Sequence, residues 1–144
     1  MSFDWNEYLP LAQQLSALGN DAARRSAISR AYYCAFHAAS LSLAANKVLT
    51  NPRYSRDRHL QIWNIYIVST SRDCRRIGNN GQRLKLERHS ADYNADEGFP
   101  DARVQRCIAQ ATSIVAGIPA NVPESFVPGD GLFKRAMLFV RRFV

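Results

Sequence analysis

The sequence predicts an all-α fold, a four- to five-helix up-and-down bundle. Three observations predict it. Apolar residues recur at helical spacing through most of the 144 residues. The connections between the periodic segments are short. The one stretch rich in β-formers, Ile62 to Val68 (IWNIYIV), has no second strand to pair with. A chain of this length, 47% hydrophobic, suits one domain with one core. The bundle is expected over residues 1–118. Residues 119–144 read as a proline-rich connector and a short amphipathic C-terminal helix that packs on the bundle or on a partner.

The first helix opens near Asp4, which can cap it. Trp5, Tyr8, Leu11, Ala12 and Leu15 follow at helical spacing. Gly19-Asn20 closes it and Asp21 starts the second helix, which runs to about Asn46. That helix carries two apolar stripes. Ile28, Tyr32, Ala35, Ala39 and Leu43 form one; Ala27, Ala31, Cys34, Ala38 and Leu41 form the other. A helix apolar on two faces belongs at the centre of a bundle. Asn51 to Arg58 (NPRYSRDR) reads as an arginine-bearing loop. A third helical region spans about Arg58 to Arg88; at Gly78-Asn79-Asn80-Gly81 propensity alone would break it, and tertiary packing could carry it through with a kink. Pro100 fits the first turn of a fourth helix reaching about Gly117, with Val104, Cys107, Ile108, Ala111 and Val115 as its stripe. In the tail, Phe133, Met137, Val140 and Val144 lie on one side, with Lys134, Arg135, Arg141 and Arg142 roughly opposite.

Nineteen Lys and Arg face twelve Asp and Glu, a formal net charge of +7, and most of the basic residues are Arg. Arginine makes forked contacts to phosphate. The surplus points to nucleic acid, a nucleotide or an acidic protein partner, and says nothing about fold. The three cysteines, Cys34, Cys74 and Cys107, are widely spaced, and the N-terminus lacks the pattern of a signal peptide. A cytoplasmic protein with reduced thiols and no membrane segment is expected.

The densest chemistry lies in Arg83 to Asp96, RLKLERHSADYNAD. In a helix, Arg83 and Glu87 sit four apart and should pair. His89 lies six beyond Arg83, so the two share a site only if the helix ends or bends between them. A histidine can move a proton at a ribose 2′-OH, and an arginine can stabilise the charge built up on phosphorus. The plainer alternative is a solvated helix end whose basic residues complement the dipole. Asp92 can fold back on Arg88, and Tyr93 can bury its ring while its hydroxyl stays wet. In SRAYYCAFHAA (Ser29 to Ala39), Arg30, Tyr33 and His37 share one helical face. A charged Arg30 in an apolar helix needs a partner, and Asp92 is a candidate. Cys34-x-x-His37 has no second pair at metal-ligand spacing. Neither a Gly-rich phosphate loop nor a nucleophile elbow is present, and no metal or cofactor is expected.

RSAISRAYYCAFHAA followed by LKLERHSADYN resembles the HEPN superfamily of small α-helical bundles, over about Trp5 to Ala116. The resemblance implies a four- or five-helix bundle that dimerises. It implies either of two roles. One is a metal-independent RNase or RNase-like toxin of a bacterial defence or toxin–antitoxin module. The other is a non-catalytic module that binds a nucleotide, nucleic acid or a partner protein. Implied partners are RNA or nucleotide, a second copy, and a cognate antitoxin, a nucleotidyltransferase or a larger defence complex. Two registers stay open. Arg83-x5-His89 matches the loose RNase pattern, with His89 as acid/base, Arg83 or Arg88 as phosphate clamp, and Asp92 and Tyr93 in support. Aligning Tyr93 with the tyrosine of Arg-x4-His-x-Tyr puts Leu86 and Ala91 where the arginine and histidine belong. Arg88, Asp92 and Tyr93 would then act with Arg30 and His37 of the long helix. Tyr93 would also be a candidate acceptor for nucleotide transfer.

Overall fold

Asp4, Asn20 and Ser71 each place a side-chain oxygen on a backbone N–H two or three residues ahead, and so start a helical segment. The computed structural model describes residues 2–49 and 58–124. Among these residues five α-helices follow one short 3-10 turn at Trp5–Glu7: α1 Tyr8–Ala17, α2 Asp21–Ala45, α3 Arg58–Ile67, α4 Arg72–Tyr93 and α5 Asp101–Gly117. Among the described residues there is no strand, and no helix is long and apolar enough to cross a membrane. The Ile62–Val68 stretch, β-rich in composition, forms most of α3.

The long helix α2 is central. It packs against α1, α4 and α5 and more lightly against α3. Ala23, Ala27, Ala31, Ala35 and Ala39 are all buried and let its neighbours come close. Gly19, with φ 74°, makes the turn into it. At its other end Val48 N–H bonds Leu43 C=O and Lys47 N–H bonds Ala44 C=O, a Schellman closure in which Lys47 takes φ 55°. Trp63, Tyr32 and Tyr66 are fully buried, and each such side chain contributes roughly 2 kcal/mol of transfer free energy.

The break that propensity alone favours at Gly78–Gly81 does not occur; packing carries the helix through. The chain breaks instead after Ile67, and Ser71 caps α4 by accepting the Cys74 N–H. Both glycines lie inside α4 because α3 crosses there. A Cβ on Gly78 would meet Ile67 at 2.7 Å, and one on Gly81 would overlap the Trp63 ring. The glycines permit helix contact rather than ending a helix. The helix also runs past Arg88 to Tyr93. After α5, Ile118 is buried, and Glu124 accepts from the backbone N–H and the hydroxyl of Thr70 in the α3–α4 turn. The arginine-bearing loop before Arg58 and the amphipathic tail from Leu132 fall outside the described residues.

Candidate nucleic-acid interface

Arg30, Tyr33 and His37 form the expected column on α2. The Arg30 guanidinium lies over Tyr33, 5.7 Å from its centroid, and over Tyr8 of α1 at 4.9 Å. Trp5 stacks on His37 at 3.6 Å with 13° between the planes. Burial, and then the nearby Arg58 charge, lower the His37 pKa. Asp92 is not the partner of Arg30; the two aromatic faces hold that guanidinium instead.

The C-terminal half of α4 meets this column from the other side. Arg88 is only 12% exposed. Its guanidinium lies 5.5 Å from the Tyr32 centroid and 5.7 Å from that of Tyr33. Asp92 folds back on it as expected, with Nη1 to Oδ2 at 3.4 Å. Tyr33 is therefore touched by two guanidiniums, one from α2 and one from α4. A single, rather long ion pair neutralises Arg88, and its Nε is buried without a partner. Two close cations and one carboxylate leave an electropositive patch beside an aromatic surface.

The pair Arg83 and His89 is not brought together. The helix is continuous between them, so six residues put them about 120° apart around its axis. Arg83 opens onto a groove of about 570 Å³ between α4 and α5, with Leu86, Arg103, Arg106 and Gln110. His89 is exposed, its ring 5.0 Å from that of Tyr93. Glu87 does not pair with Arg83 either. Arg103 of α5 takes it in a fork, Nε to Oε2 at 2.7 Å and Nη2 to Oε1 at 3.1 Å. Tyr93 is 71% exposed rather than half sunk, because it ends its helix on the solvent side.

One residue of the patch was invisible in the sequence. His59, in the first turn of α3, stacks on Phe36 at 4.1 Å and sets Nδ1 2.7 Å from the Tyr32 hydroxyl. It stands alone among polar residues, so no spacing marks it. Burial lowers its pKa to about 4, and Arg88, Lys85, His37 and Arg58 push the same way.

The rest offers little other chemistry. Among the described residues no three His, Cys, Asp or Glu side chains gather as metal ligands. All three cysteines are free and buried; burial pushes Cys34 up to about 11 and Cys107 up to about 12, so both remain thiols. No family model matches the chain, and neither a curated protein nor a solved structure matches it.

Proposed function

We propose that this chain is a HEPN-like module that binds RNA or a nucleotide at the face made by α2, α3 and α4. The observation that carries this reading is the Tyr33 ring between Arg30 and Arg88, cations only partly neutralised at an aromatic surface. Phosphate would complete the charge balance, and a base could stack on exposed ring area. The net charge of +7 favours the same partners. Fluorescence anisotropy with a short single-stranded RNA tests it. Arg88→Ala and Arg30→Ala should each weaken binding and each reduce the salt slope by about 1. Binding that is unchanged in both variants would remove the reading.

A second reading, metal-independent RNA cleavage, rests on the exposure of His89 one residue from Arg88. Since Arg83 and His89 diverge within one chain, Arg83 would have to face the histidine of a second copy. Cleavage of RNA in EDTA by the wild type, lost in His89→Ala, supports this reading. Cleavage that His89→Ala retains at the wild-type level ends it.

A further inference from the structure

Two cross-helix contacts set the register of α4 against α5. Arg103 forks onto Glu87 at 2.7 and 3.1 Å. Gln110 Nε2 donates to Asn80 Oδ1 at 3.4 Å. The two helices are therefore antiparallel. These rungs stand seven residues apart on each helix, about 10 Å along the axis. Arg83 lies between the rungs on α4 and Arg106 lies between them on α5. Both line the groove of about 570 Å³, so they face each other across it.

Two like charges thus meet between a matched ion pair and an amide pair. Among the described residues no carboxylate pairs with either guanidinium, and Glu87 and Glu97 are both engaged by Arg103. Arg83 and Arg106 are exposed. Leu86, on the same groove, is 58% exposed, and Ala109 is exposed beside it. Among the described residues no aromatic ring lines the groove. Arg83 and Arg88 are five residues apart, about 140° around α4, so the groove is turned away from the Tyr33 face.

We propose that the α4–α5 groove is a docking surface for an acidic amphipathic helix of a partner protein. Its carboxylates sit between Arg83 and Arg106, and its apolar side covers Leu86. The inference goes beyond the RNA- or nucleotide-binding reading and does not depend on it. Three features select this occupant. A third helix packs its side-chain ridge into the seam between two antiparallel helices. The like-charge rung calls for negative charge, and two carboxylates one turn apart on a helix supply it. An exposed leucine without rings nearby suits side-chain packing rather than stacked bases, and the Glu87 carboxylate opposes a phosphate chain. The chain's own C-terminal stretch, with Lys134, Arg135, Arg141 and Arg142, has the wrong sign for the groove.

A stapled helix of about fifteen residues, with glutamates at i and i+4 beside leucines, is labelled with fluorescein and titrated into the full chain. A lysine-for-glutamate version and a short single-stranded RNA are titrated alongside. The acidic helix should bind the wild type. Arg83→Glu and Arg106→Glu should each lose about tenfold or more. Arg72→Glu, the same charge change on an exposed residue in the first turn of α4, should lose far less. Leu86→Ser should weaken binding too. The lysine helix should bind the double variant Arg83→Glu/Arg106→Glu better than it binds the wild type. That exchange separates charge pairing at the groove from a failure to fold. An acidic helix that does not bind the wild type up to about 1 mM, or that binds every variant alike, overturns the proposal. So does RNA that loses affinity in both groove variants while the helix does not, which makes the groove a nucleic-acid surface. So does a wild-type dimer in sedimentation that Arg106→Glu splits, which makes a second copy the occupant.

Discussion

Gly81 of α4 lies so close to the indole of Trp63 that a Cβ in its place would overlap the ring. Trp63 has nowhere to retreat: it is fully buried and its N–H is bonded to Tyr32. In an open helix Gly→Ala gains about 1 kcal/mol. Here overpacking, typically costing about 1–3 kcal/mol and more where nothing yields, should outweigh that gain. Gly81→Ala is expected to lower the melting temperature clearly in a thermal scan. An unchanged or raised Tm would show that the two helices can part.

Stability should fall as acid is added. The folded state holds His59 at about 4, below its ordinary 6.5, and lowers His37 as well. Between the two values the unfolded chain binds more protons, so stability is full above about pH 7 and is lost as pH drops toward about 4. The His59 shift alone would amount to roughly 3 kcal/mol, and partial solvation reduces it to about 1–2 kcal/mol. Urea midpoints measured across this range should slope in the wild type and slope less in His59→Gln. Equal slopes would mean that the histidine is not depressed.

The Arg103 fork should matter more than the free-standing Arg83. Arg103 binds both oxygens of Glu87, reaches Glu97 at 2.7 Å, and covers the Phe99 ring at 4.4 Å. Lysine cannot reproduce a fork, so Arg103→Lys should cost about 1 kcal/mol. Arg83→Ala, on the exposed side, should stay within about 0.5 kcal/mol. Equal effects in equilibrium unfolding would place the two side chains on the same footing.

Lys47 is the non-glycine residue at positive φ among those described, and it closes α2. A left-handed backbone costs a side-chain-bearing residue about 1–2 kcal/mol. Glycine removes that cost and gives back about half to one through its freer unfolded state. Lys47→Gly should therefore raise stability by roughly 0.5 kcal/mol, visible as a small rise in Tm. A fall would show that the lysine stem packs usefully.

What could be read in advance was what helical spacing encodes. The two stripes of α2 placed it at the centre. Arg88 and Asp92, four apart, met as spacing required, and Arg30, Tyr33 and His37 lined up as a column. What escaped were contacts between distant segments. Glu87 took a partner on another helix rather than the arginine four residues before it. Gly78 and Gly81 carry a helix-breaking propensity that a crossing tryptophan overrides. His59 gained its environment from Tyr32, 27 residues away. No periodicity within α3 could have marked it.

The clasp between Glu124 and Thr70 also fixes Glu124 at one pole of the bundle. Thr70 precedes the first turn of α4, whereas Arg88 lies near that helix's far end, about 25 Å along its axis. Glu124 is thus held at the opposite pole from the cationic corner. A fluorophore carried by Val122→Cys, an exposed position two residues before the clasp, would report on incoming ligand from well outside the site.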